Sequence, residues 1–136
     1  MTRENIKINI NEEIKRATAA IDAAVLLSDK SLFNDAVSRL YYFLLYHIRA
    51  LLLTKGLEAR SHEGALRLFG LHFIKEGLFE INVSHIFAKL MKYREEADYN
   101  PSYEFIKEDF VELKKETEKL AGKIKTYLIK EGYLSK

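Results

Sequence analysis

Leu40-Tyr41-Tyr42-Phe43-Leu44-Leu45-Tyr46-His47-Ile48-Arg49-Ala50-Leu51-Leu52-Leu53 is the stretch on which the fold turns. Read as a helix, it spreads Leu40, Phe43, Leu44, Leu45, Ile48, Leu51, Leu52 and Leu53 around most of its circumference. A helix that is apolar on nearly every side must be enclosed, either at the centre of a bundle or by a second subunit. With 136 residues available to cover it, the expectation is a homodimer that shares part of this surface.

Working outward, this helix spans about residues 32–55, from a possible N-cap at Ser31 to Gly56. Before it, Ile14, Ala17, Ile21, Ala24 and Val25 set a helix at about 11–28. A shorter helix follows at about 62–75, and a fourth at about 83–98 that stops at Asn100-Pro101. In the last, at about 102–130, Ile106, Phe110, Leu113, Thr117, Leu120, Ile124 and Tyr127 alternate by four and three. That heptad seam suits near-parallel packing on another long helix. The expectation is an all-α, up-and-down four-helix bundle with one additional short helix, forming a single domain over 1–136.

Composition excludes several classes of function. There is no cysteine, so disulfides and thiolate metal sites are ruled out. The four histidines are scattered, so neither a metal nor another cofactor is expected. Net charge is +2, from 22 basic against 20 acidic residues, too small to argue for nucleic-acid binding from bulk charge. The amino terminus is polar, and the longest apolar run, 40–46, falls far short of the roughly 20 residues of a membrane span. A cytoplasmic protein without a membrane partner is the expectation.

Certain polar residues call for an explanation. Asp35, Arg39, Tyr42, Tyr46 and Arg49 fall within about 80° of one another around the second helix. Asp35 and Arg39 can pair, and the stripe reads either as a structural network or as a cationic groove with aromatic walls. Arg94 and Asp98 share a face of the fourth helix, with Tyr99 at its exit. Asp98 sits where the helix dipole disfavours a negative charge, which calls for a partner: Arg94, Arg39 or the amides of the final helix. His47 reads as packed or interfacial. His62 begins a helix after a polar connection, as an exposed base or as a plain first-turn residue.

Three stretches resemble a known family. Phe33-Asn34-Asp35-Ala36-Val37-Ser38-Arg39-Leu40-Tyr41-Tyr42 is similar to the second-helix motif of HEPN domains, named for higher eukaryotes and prokaryotes nucleotide-binding. Ser61-His62 with Phe73-Ile74-Lys75-Glu76-Gly77, and Arg94-Glu95-Glu96-Ala97-Asp98-Tyr99, resemble the same family, in a subgroup carrying Arg-x-x-Ala-Asp-Tyr. The likeness runs from about Ile14 to Tyr127. It implies a homodimeric bundle, often produced beside a minimal nucleotidyltransferase in a toxin–antitoxin pair. It also implies, for many members, a metal-independent ribonuclease whose arginine is followed after four to six residues by a histidine. Here Arg94 fits the arginine, but the following positions hold Tyr99, Asn100 and Pro101. Tyrosine, with a pKa near 10, is a poor replacement for an imidazole that titrates near neutrality. In some relatives the transferase adenylylates a tyrosine near this motif, which makes Tyr99 a candidate modification target.

The primary expectation is therefore a non-enzymatic nucleotide- or RNA-binding module. Arg39 and Arg94 would meet phosphate, Tyr42 and Tyr99 would stack or hydrogen-bond, and Asp98 would orient an arginine. One alternative is a divergent HEPN ribonuclease in which His62 or His47 is supplied to Arg94 from elsewhere in the fold. Another is a purely structural dimeric helical protein.

Overall fold

The computed structural model describes residues 2–100 and 102–135. Among them every regular element is helical: α1 (Arg3–Asp29), α2 (Phe33–Leu53), α3 (His62–Phe69), α4 (Ile81–Tyr99) and α5 (Lys107–Lys130). A π-helical turn, Gly70–Ile74, carries α3 on, closed by the Lys75 N–H donating to the Gly70 carbonyl at 2.9 Å. The expected helix at 62–75 is thus one continuous coil with a widened last turn.

α2 is the central element, with α1, α4 and α5 all packed on it, and α3 resting against α2 and α4. Leu40, Leu44, Ile48, Leu51 and Leu52 are fully enclosed by the chain's own helices. Each such side chain contributes about 1.5–3 kcal/mol through burial. The apolar circumference of α2 is therefore enclosed within one chain and does not require a second subunit to cover it. The α5 seam lies in the core from Phe110 through Leu113, Thr117 and Leu120 to Ile124. Its outer members differ: Tyr127 is half-buried and Ile106 is exposed.

Three boundaries differ from the expected ones, each for a local reason. α1 begins at Arg3 rather than near 11, because Ile6 and Ile10 extend the apolar spacing and the Thr2 hydroxyl accepts from the Asn5 N–H at 3.1 Å. Its first residue is anchored at the other end of the chain. The Arg3 guanidinium donates to the Glu131 carbonyl at 2.8 Å and to the Tyr133 hydroxyl at 3.2 Å.

Ser31 does not cap α2. It has φ 60°, its N–H donates to the Ser28 carbonyl at 2.9 Å, and the Leu32 N–H donates to the Leu27 carbonyl at 2.9 Å. These are the two bonds of a Schellman closure, so Ser31 ends α1, while α2 starts from Leu32 with no side-chain cap.

α5 starts at Lys107, five residues later than expected, because Asn34 holds the preceding segment extended. The Asn34 amide donates to the Tyr103 carbonyl at 2.7 Å and accepts from the Phe105 N–H at 2.9 Å. Phe105 is thereby buried. Asp109 then accepts from the Ile106 N–H at 2.9 Å, which supplies the polar half of an N-terminal cap.

Candidate functional site

The polar linker after α2 turns the chain back, and the Ser61 hydroxyl accepts from the Gly64 N–H at 2.9 Å to start α3. The first residue of α3, His62, is thereby laid against α2. Its ring lies 5.3 Å from that of Tyr41, tilted by only 19°, and Nδ1 is 2.7 Å from the Tyr41 hydroxyl. Phe87 of α4 also stacks on Tyr41, at 5.7 Å. Two turns further along α4, Arg94 brings its guanidinium to 5.3 Å from the Tyr41 ring centroid. Tyr42, the next residue of α2, meets Tyr41 edge-on at 5.3 Å and His62 edge-on at 6.1 Å.

Arg94 is held on its own helix as well. Its Nη1 reaches Asp98 Oδ2 at 3.3 Å, and the Tyr99 ring lies 6.0 Å from its guanidinium carbon. The Asp98 charge at the end of α4 thus has Arg94 as its partner. The Arg94 side chain is only 11% exposed, and its Nε is buried without a hydrogen-bond partner. Burial disfavours its charge, but the hydrogen bond to Tyr99, with Tyr42, Tyr41 and Asp98 nearby, outweighs burial and holds its pKa above the ordinary value. The cluster therefore keeps a fixed, largely desolvated cation.

Beside that cation Tyr41 and His62 stay neutral. Burial pushes the Tyr41 phenol well above its usual range, although Arg94 opposes the shift. The hydroxyl therefore stays protonated and can donate to Nδ1 of His62 or accept from it. Burial and then Arg94 lower the pKa of His62, with Arg49 adding to the effect and Glu63 and Glu95 opposing it. The result is a neutral imidazole beside a permanent positive charge, able to exchange hydrogen bonds at the ring nitrogen that Tyr41 leaves free.

The fold thus brings Tyr42, Arg94, Asp98, Tyr99 and His62 together. Arg39 is exposed and joins only through Tyr42, whose ring its guanidinium approaches at 6.0 Å. The expected Asp35–Arg39 ion pair is not among the contacts formed. Of the two histidines, His62 alone joins the Arg94 cluster. His47 is buried, with Nδ1 at 2.9 Å from the Phe43 carbonyl, its ring against Phe43, and Lys125 of α5 as its charged neighbour. Supply of His47 to Arg94 is not supported. Tyr99 is 76% exposed, the Asn100 amide donates to Glu96 at 2.9 Å, and Pro101 lies outside the described residues.

Tyr41 is the residue the sequence reading missed. It falls off the polar stripe of α2 and reads as core. The available signal was chemical: a phenol at a fully enclosed helix position needs a hydrogen-bond partner. Among the described residues, no three His, Cys, Asp or Glu side chains are grouped to hold a metal, and no helix is long and apolar enough to cross a membrane.

The chain is 31% identical over 128 residues to a Methanocaldococcus jannaschii protein named "Putative toxin MJ0142", which covers 94% of this chain and 87% of that one. A second protein of that organism, "Putative toxin MJ0605", is 36% identical over 99 residues, 73% of this chain and 74% of its own. A Thermotoga maritima UPF0332 protein is 35% identical over 95 residues, 70% and 72% of the two chains. Residues 10–127 match the HEPN domain over most of the chain's length, and the chain belongs to that family.

Proposed function

We propose that this chain is a toxin-type HEPN protein that binds RNA or a nucleotide at the Arg94 cluster. It works as a homodimeric, cytoplasmic up-and-down four-helix bundle, beside a minimal nucleotidyltransferase. The observation that carries the binding reading is the half-buried Arg94 guanidinium, seated over Tyr41 and flanked by the half-buried Tyr42 and the exposed Tyr99. A fixed cation with accessible aromatic rings on either side suits a phosphate with its base. In this reading Arg94 and Arg39 meet phosphate, Tyr42 and Tyr99 stack on bases, and Asp98 holds Arg94 in place.

The test is fluorescence anisotropy with a short single-stranded RNA at fixed low salt. Arg94→Ala is expected to weaken binding at least tenfold while the fold, judged by circular dichroism, is kept. Equal affinity in the two proteins would remove the reading.

A second reading is favoured by the hydrogen bond between Tyr41 and His62. In a metal-independent ribonuclease, His62 would take the proton from an RNA 2′-hydroxyl. The 2′-oxygen would attack the adjacent phosphorus, the bond to the 5′-oxygen would break with that oxygen taking up a proton from water, and a 2′,3′-cyclic phosphate would form. Arg94 would stabilise the charge on the phosphoryl oxygens. This reading requires cleavage in EDTA that is lost in both Arg94→Ala and His62→Ala; cleavage unchanged in both would end it.

A further inference from the structure

His62 also lines a cavity of about 170 Å³, which it shares with Arg49, Arg60 and Ser61 over a floor that includes Leu45 and Ala65. Two arginines are thus among its lining residues. Arg49 comes from the turn of α2 beyond Tyr46, where Glu13 of α1 holds it: Glu13 Oε1 is 3.8 Å from Arg49 Nε and 3.2 Å from Arg16 Nη1. That separation is an ion pair rather than a hydrogen bond, so the donors of Arg49 remain unspent. Arg60 stands in the linker before α3, exposed, with no hydrogen bond or ion pair among the described residues. Glu13, the one ion-pair partner of Arg49 among the described residues, is shared with Arg16, and no carboxylate is among the residues that line the cavity.

We propose that this cavity is a phosphate subsite in which Arg49 and Arg60 clasp one phosphate group, with His62 as the wall it shares with the Arg94 cluster. The inference rests on the reading of that cluster as a nucleic-acid site and deepens it. A strand with one phosphate at Arg94 presents a neighbouring phosphate to Arg49 and Arg60, and His62 lies between the two. Planar guanidinium groups with unspent donors recognise phosphate bidentately. The cavity has room for a phosphate but little more, so it would set the path of the backbone rather than read sequence.

The test uses inorganic phosphate alone, titrated against the full chain at constant ionic strength with chloride as the control. The readout is the His62 imidazole resonance by NMR, assigned with His62→Gln. The groups facing this ring are Tyr41, Tyr42 and Arg49 of α2, Glu63 of α3, Arg94 and Glu95 of α4, and Arg60 of the linker. Bound phosphate adds negative charge beside the ring, so a saturable shift and a higher titration midpoint for His62 are expected. Both should persist in Arg94→Ala and vanish in the Arg49→Gln, Arg60→Gln pair. Arg60→Gln alone, at an exposed and unpaired position, should weaken phosphate binding several-fold with no change in folding.

No saturable shift in the wild-type chain, or an equal shift in the paired variant, overturns the subsite. RNA binding separates the two proposals. Loss of one phosphate contact should reduce the salt slope for single-stranded RNA by about 0.7. If Arg94→Ala loses RNA while the paired variant keeps both affinity and slope, the subsite falls and the Arg94 reading stands. If phosphate binds the cavity but RNA fails to bind at all, the Arg94 reading falls and the cavity remains a phosphate site.

Discussion

The phenolic oxygen of Tyr41 stands 2.7 Å from Nδ1 of His62, and Tyr41 itself has no exposed surface. This one contact ties the start of α3 to the middle of α2 beneath Arg94. Tyr41→Phe keeps the ring stacking on Phe87 and His62 but leaves Nδ1 of His62 without its partner. The expected cost is about 1 kcal/mol of folding stability, measured by urea denaturation. RNA affinity should fall less than in Arg94→Ala, because the cation stays in place. A variant as stable as the parent would show that the bond holds nothing together.

Both buried-side histidines shape the response to acid. Burial lowers the pKa of His47 and, together with Arg94, that of His62. The folded chain therefore binds protons less readily than the unfolded one, whose imidazoles titrate near 6.5. Above 6.5 both states are neutral at these rings and the full contribution to stability is present. As pH falls through 6.5 toward the lower folded values, the unfolded state takes up protons first and stability is lost. Urea midpoints should therefore drop between pH 7.5 and 5, and NMR titration should place His62 below 6.5. Arg94→Ala should move the His62 midpoint upward, since a repelling charge has gone.

Asn34 makes two hydrogen bonds to the segment before α5, across about 70 residues of sequence, at 2.7 and 2.9 Å. Asn34→Ala removes both and leaves the Phe105 N–H, beside a buried ring, without an acceptor. A loss of about 2 kcal/mol is expected, at roughly 1 kcal/mol per bond. Hydrogen exchange should rise first at Phe105 and Ile106. If exchange there stays slow in the variant, another group holds that segment.

The same residue shows where sequence reading runs out. The core faces of α2 and α5 were legible because apolar spacing is a local property, repeated over many turns. The partner of Asn34 was not, since its two bonds join backbone atoms that any sequence could offer. Helix ends failed for related reasons. Ser31 has the chemistry of an N-cap, yet the positive φ that makes it the end of α1 leaves no mark in the sequence. At the site, Arg94 and Asp98 were readable as a pair four residues apart, and they pair. His62 was readable only as an open choice, because its meeting with Tyr41 depends on how the linker after Gly56 folds back. Arg49 was noted as one member of a polar stripe, but its position at the His62 cavity depends on α3 packing against α2.

Ser31 and Gly56 offer a matched pair for that backbone argument. Both close a helix in the left-handed region, at φ 60° and 69°, with equivalent hydrogen bonds to the preceding turn. Only glycine takes this conformation without cost, and an ordinary residue there loses about 1–2 kcal/mol. Ser31→Gly should therefore stabilise the chain; the greater freedom of glycine in the unfolded state offsets part of the gain, leaving about 0.5–1 kcal/mol. Gly56→Ala should destabilise it by about 1 kcal/mol. A Cβ at Gly56 meets nothing within 4 Å, so crowding contributes nothing to that loss and backbone strain accounts for it. Thermal melts of the two variants should shift in opposite directions. Shifts of the same sign would show that these two turns are not held in equivalent conformations in solution.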